Sequence, residues 1–177
     1  MENYKRIDPL QIPESDLPLI VMEEDRRSFL GWAIKDHSKG NYNHICEMTK
    51  PGMVASQDPC GFKEKPIDVY LKPQIFLKFW RYMPLTAQIK ETWLSGIDKE
   101  LKQSGWARRY DFLGILGQAI NVRWLQSPWA HYCSERVAEH IQKPLNIDIP
   151  KKPTPNDMNM AFNKDARFEV YGYWFMD

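Results

Sequence analysis

In the stretch WAHYCSERVAEHI, Trp129 to Ile141, a single cysteine stands where a helix is expected to begin. Cys133, Val137 and Ile141 recur four residues apart, so the cysteine shares the inward face of that helix. Ser134, Glu135, Arg136 and Glu139 are expected to cover its other sides. A thiol in a first helical turn meets unpaired backbone N–H groups and the positive end of the helix dipole, and both favour thiolate. That is the chemistry of a nucleophile. The alternative from the same position is simple packing, because free cysteine is among the most buried residue types.

A thiolate nucleophile needs a base, usually histidine, oriented by a third polar group. The chain has four histidines. His140 lies seven residues beyond Cys133, too far along one helix for a direct hydrogen bond. His131 falls in the loop entering the helix, and His37 ends an earlier helical pattern. His44 stands apart because of a hairpin. If TKPG joins NYNHICEM to MVASQ, Met48 pairs with Met53, and the register then sets Cys46 opposite Ala55, Ile45 opposite Ser56 and His44 opposite Gln57. Period two puts His44, Cys46 and Met48 on one face. The Gln57 amide could then accept the imidazole N–H and fix its tautomer. A slip of one residue would offer Ser56 instead. The set Cys133, His44 and Gln57 is close in type to the Cys–His–Asn arrangement of papain-like enzymes. The alternative for His44 and Gln57 is a mutually satisfied polar pair at a sheet edge.

A different chemistry is open to the same residues. HIC and HYC form two His-x-Cys pairs, His44/Cys46 and His131/Cys133, four potential ligands for tetrahedral zinc. The tight Cys-x-x-Cys spacing of most structural zinc sites is absent, so no metal or other cofactor is expected.

The elements that must position these residues can be read along the chain. Residues 1–16 form an extended arm with Pro9 and Pro13, and residues 17–177 a single domain. LPLIVMEE is a strand, and DRRSFLGWAIKDHSKG carries helical spacing. PIDVYLKPQIFLKFWRYM reads as strand segments interrupted by Pro73. The clearest helix is PLTAQIKETWLSGIDKELKQSG, where Leu85, Ile89, Trp93, Ile97 and Leu101 recur every four residues. YDFLGILGQAINVRWL is a weaker helical pattern. KPLNIDIPKKPTPND is expected as a Pro-rich surface connection, and ARFEVYGYWFMD as a closing strand with Phe168, Val170 and Gly172 on one side. Strands and helices segregate, which favours α+β, an antiparallel sheet packed against helices.

With 177 residues and 43% apolar content the chain can bury a proper core. Its net charge of +1 and lack of like-charge blocks argue against nucleic acid as a partner. The longest apolar run, LPLIVM, is too short to span a bilayer, and MENYKRIDPLQIPESD has no secretory h-region. Three cysteines cannot all pair, which suits a reducing compartment. The expectation is a chain that is cytoplasmic when made, or a virion part.

The order NHICEM, MVASQD, RRYDFLGILGQ, YCSERV, PTPNDM resembles permuted papain-like cysteine hydrolases, the circularly permuted relatives of NlpC-type peptidases. The resemblance runs over roughly residues 17 to 160. It implies a permuted papain-like fold with Cys133 as nucleophile, His44 as base and Gln57 as orienting residue, a role often filled by Glu in that group. It also implies Tyr110, of the Tyr-Asp pair, as an oxyanion donor beside the Cys133 backbone N–H; an ordinary core tyrosine is the alternative. Asp111 is expected as a helix cap. The implied substrate is an amide bond in a cell-wall peptide or an acyl conjugate, in a setting such as a bacteriophage tail with other virion proteins as partners. The competing expectation is a non-catalytic virion or assembly protein that keeps the fold, with a zinc-binding protein behind it.

Overall fold

The computed structural model describes residues 5–26, 40–58, 61–102 and 133–176. Its centre is a six-stranded sheet: β1 (Leu19–Asp25), β2 (His44–Lys50), β3 (Met53–Asp58), β4 (Gly61–Pro66), β5 (Ile75–Tyr82) and β6 (Phe168–Phe175). The spatial order is β4-β3-β2-β1-β5-β6, and every neighbouring pair is antiparallel. Three α-helices accompany it among the described residues: α1 (Ala87–Lys102), α2 (Cys133–Leu145) and α3 (Pro155–Lys164). The α+β expectation is met.

The continuous apolar run of β1 follows from its place in the middle of a sheet covered on both sides. Ile20 and Met22 face one core, together with Ile45, Ala55 and Trp80, Trp93 and Ile97 of α1, Val137 and Ile141 of α2, and Met158 and Phe162 of α3. Leu19 and Val21 face a second core with Cys46, Met48, Val54, Leu77 and Phe79. No long helix covers that side among the described residues. Ile12 and Leu17 of the N-terminal segment and Ile67 and Tyr70 of a short 3-10 turn (Ile67–Tyr70) pack there.

The N-terminal arm finishes the sheet. Ile7 N–H donates to Tyr173 O and Tyr173 N–H to Lys5 O, each at 2.9 Å. Gly172 permits this approach: a Cβ there would stand 2.5 Å from Ile7 Cγ2 and 3.0 Å from Lys5 O.

Several sequence expectations need correction. The hairpin exists, but Lys50 pairs with Met53 across Pro51–Gly52, and Thr49 is an extra residue in β2. Met48 therefore pairs with Val54 and Glu47 with Ala55, one residue away from the expected register. The Pro-rich connection is not a surface loop: Ile147, Ile149, Pro153 and Pro155 are buried, and Pro155 opens α3. Thr154 caps that helix and Asp157 returns the bond, a capping box that the prolines concealed. Helix α2 is buried almost all round, with Ser134, Glu135 and Arg136 inside rather than outside, and it ends on Asn146 in the left-handed region (φ 47°). In β6 a register shift separates Phe168 and Val170, opposite Tyr82 and Trp80, from Gly172, opposite Phe79. The expected single side is thus split. The helical patterns at 25–40 and 110–125 fall largely or wholly outside the described residues.

Candidate functional site: Cys133, His44 and the hydroxyl relay

Cys133 is the first residue of α2 and is only 3% exposed. Burial pushes the thiol up to about 12, against the backbone N–H groups of Ile45 and Ser134, which favour thiolate. The thiol thus rests on the backbone of β2 at the residue after His44. Beside it, Ser134 Oγ donates to the carbonyl of Pro153 at 2.5 Å.

His44 opens β2, next to Asn43, whose side-chain oxygen accepts the Asp25 N–H at 2.7 Å while its own N–H donates to Glu23 O. Those two bonds extend the β1–β2 ladder past the strand end and fix where the imidazole leaves the backbone. The ring lies against Tyr70, with centroids 5.8 Å apart. Nε2 is 2.9 Å from Ser56 Oγ and 3.1 Å from Tyr70 OH. Ser56 Oγ in turn donates to Asp58 Oδ1 at 3.0 Å, and Lys65 Nζ holds the other Asp58 oxygen at 2.6 Å.

This chain of bonds decides the tautomer. The hydrogen bond from Lys65 holds the Asp58 carboxyl below its ordinary value against the opposing effect of burial, so it accepts only. Ser56 spends its single O–H on that carboxylate, so towards the ring it can only accept, and a proton on Nε2 satisfies it while the Tyr70 O–H turns to Ser56 Oγ, 3.0 Å away. The neutral ring then carries its proton on Nε2 and presents a lone pair at Nδ1. Burial, helped by the Lys65 charge, lowers the imidazole to about 4 against the pull of Asp58. The ring is a neutral base at ordinary pH.

The partner expected for His44 was Gln57, and the structure supplies Ser56. The corrected register sets Val54 and Ser56 on the face of His44, and Gln57 on the helix-covered face with Ala55. Gln57 is 1% exposed. Tyr110, Asp111, His37 and His131 lie outside the described residues, and with them the side chain expected to meet an oxyanion and the histidine of the second His-x-Cys pair. Among the described residues, no three His, Cys, Asp or Glu side chains converge as a metal site would require. Cys133 and His44 are brought to the same end of β2, the thiol among the residues of the helix-covered core and the ring with those of the other face. They do not hydrogen-bond each other: the ring bonds Ser56 and Tyr70, while the sulfur lies by the backbone of Ile45 and Ser134.

One group of residues was missed from the sequence. Glu47, wholly buried on the helix side of β2, accepts from Trp93 Nε1 and meets His140 Nδ1, both at 2.6 Å. Arg136 reaches Glu100 and Glu139 at 2.8 Å, and Glu100 stands 4.0 Å from His140 Nε2. Burial lowers the His140 imidazole, but the Glu47 carboxylate, with Glu100 behind it, outweighs this and raises it overall. The visible sequence signal is an acidic residue inside an apolar strand, NHICEM. Its partner sits 93 residues away, on the helix that begins with Cys133.

No protein-family model matches this chain, and no curated protein matches its sequence. Among the described residues, no helix is long and apolar enough to cross a membrane.

Proposed function

We propose that this chain is a cysteine hydrolase of permuted papain-like type that cleaves an amide bond, with Cys133 as nucleophile and His44 as base. The observation that carries the reading is the bonding of His44: the Ser56–Asp58 relay takes up Nε2, which leaves Nδ1 as the basic nitrogen, with Cys133 on the helix-covered side of the same strand end. Ser56 takes the orienting role first expected of Gln57. The peptide bonds of a bacterial cell wall are the proposed substrate, and a phage virion the proposed setting. Both rest on the resemblance alone.

With a neutral thiol and a neutral imidazole, the chemistry runs by general-base catalysis rather than from a preformed ion pair. As the sulfur attacks the carbonyl carbon, Nδ1 takes the S–H proton, and the oxyanion is met by the Cys133 backbone N–H and, by resemblance, Tyr110. The imidazolium then protonates the departing amine nitrogen, the C–N bond breaks and a thioester forms. Water attacks the thioester, giving its proton to Nδ1. The acid leaves, and the proton returns to the sulfur.

The test is acylation. Wild-type protein is treated with p-nitrophenyl acetate and, separately, with cell-wall peptide fragments, and intact and peptide masses are read after acid quench. A thioester on Cys133, lost in Cys133→Ala and slowed about 100-fold or more in His44→Ala, supports the reading. An unacylated Cys133 with no cleaved fragment sinks it. That outcome would favour a non-catalytic assembly protein, a reading to which the burial of the thiol and its lack of a hydrogen bond to His44 also point.

A further inference from the structure

Cys133 and His44 reside on elements 89 residues apart in sequence, yet one short turn touches both. At its start, the Pro153 carbonyl accepts the hydroxyl of Ser134, the residue that follows the nucleophile. At its end, the Asn156 side chain makes a two-way amide pair with the backbone of Tyr42, two residues before His44. Asn156 Nδ2 donates to Tyr42 O at 3.0 Å, and Tyr42 N–H donates to Asn156 Oδ1 at 3.2 Å. An amide matched in this way replaces a β-ladder partner, so the segment leading into β2 is tied as a strand would be. Three features hold the turn itself rigid. Pro153 and Pro155 fix φ on either side of Thr154, and the capping box closes Thr154 onto Asp157 with bonds of 2.8 and 3.1 Å. The fit is close: a Cβ on Gly40 would come within 2.1 Å of the Asn156 side chain.

From this geometry we infer that the turn Pro153–Asn156 is a positioning clip for the reaction, with Asn156 and Ser134 as positioning residues that hold the start of β2 in register with the start of α2. The inference rests on the hydrolase reading. Neither residue touches the reacting atoms. Their effect passes through the backbone: Asn156 sets Tyr42 and hence His44, while Ser134 and Pro153 set the first turn of α2 and hence Cys133. A misplacement of about 1 Å between reacting groups can cost about 100-fold in rate, so a clip of this kind acts on rate before it acts on folding.

The experiment measures acylation of Cys133 by p-nitrophenyl acetate in the full chain, with and without His44→Ala, in three backgrounds: wild type, Asn156→Ala and Asn156→Asp. Asn156→Ala is expected to slow acylation at least tenfold and to reduce the further loss from His44→Ala to less than tenfold, because the base is no longer placed. Asn156→Asp keeps the acceptor for Tyr42 N–H and loses the donor, so it should fall between the two; it also serves if the alanine variant does not fold. A slowed Asn156 variant that keeps the whole His44 factor would mark a merely structural residue and overturn the inference. So would an Asn156 variant acylated at the wild-type rate. If wild-type Cys133 is not acylated, the hydrolase reading falls, and the clip loses its catalytic meaning with it.

Discussion

His140 Nδ1 lies 2.6 Å from Glu47 Oε2, joining the helix of the candidate nucleophile to the strand of the candidate base beneath the surface. The carboxylate is fully buried and the imidazole side chain 4% exposed. Breaking a buried pair by removing one partner typically costs about 3–5 kcal/mol, because the other is left uncompensated. Glu47→Ala should therefore lower the melting temperature by about 10 °C, at about 2–4 °C per kcal/mol in a chain of this size. An unchanged melt would show that the pair contributes nothing net.

The same pair gives stability a pH dependence. His140 has its proton affinity raised in the folded state, so its contribution is complete below the ordinary histidine value of about 6.5 and is lost as pH rises through the higher folded value. The stability gap between wild type and His140→Gln should narrow as pH rises above neutrality. Denaturant unfolding at a series of pH values reads it directly; a gap that widens with pH would contradict the assigned charge state.

His44 behaves in the opposite sense. Its folded value is lowered to about 4, so the folded protein resists protonation that the unfolded chain accepts below about 6.5. Stability should decline as pH falls from there towards 4. Acylation should lose rate only near pH 4, where Nδ1 gains its proton, well below the ordinary histidine limb. An acid limb at 6 to 7 in the pH–rate profile would contradict a neutral, relay-held base.

Ser56→Ala removes the acceptor for Nε2–H while leaving Asp58 bonded to Lys65. One hydrogen bond is worth about 1 kcal/mol net, and with Tyr70 still in reach the acylation rate should drop about fivefold. Gln57→Ala, on the other face of β3, should leave the His44 acid limb where it is. A shift of the limb by the second variant and not the first would restore Gln57 to the orienting role.

Gly172→Ala tests the arm. The added methyl collides with Ile7 and the Lys5 carbonyl, and overpacking of this kind costs about 1–3 kcal/mol. Trypsin should then cut at Lys5 or Arg6 faster than in the wild type, read by mass spectrometry of the truncated chain. Equal cutting rates would mean that the arm can move aside without penalty.

Much of this architecture is legible in the chain because it is local. The four-residue spacing through Trp93 and Ile97, the apolar run of β1 and the turn around Gly52 (φ 69°) each carry their own signal. The hairpin register was missed by one residue because Thr49 adds to β2 without any local mark, and period two turned that single residue into the exchange of Gln57 for Ser56. The Asp58–Lys65 end of the relay depends on β4, which was not anticipated: FKEKP is mostly charged, and only pairing with β3 makes it a strand. Tyr70 comes from a 3-10 turn in a segment expected to be extended. The Glu47–His140 and Asn156–Tyr42 contacts join residues 93 and 114 positions apart, and nothing in the neighbourhood of either partner names the other.

That last span has a consequence for synthesis. When Tyr42 is added to the growing chain, 114 residues must still follow before Asn156 exists to hold it. At ordinary elongation rates this takes on the order of ten seconds. During that time β1 and β2 can pair, and β5 and then α2 are added, but the turn that ties Tyr42 to the helix comes last. The thiol enters the chain 89 residues after His44, so its place on the β2 backbone stays empty until the start of α2 is made. A candidate site built this way stays incomplete in the nascent chain until α2 and the turn at Pro153 have both been added.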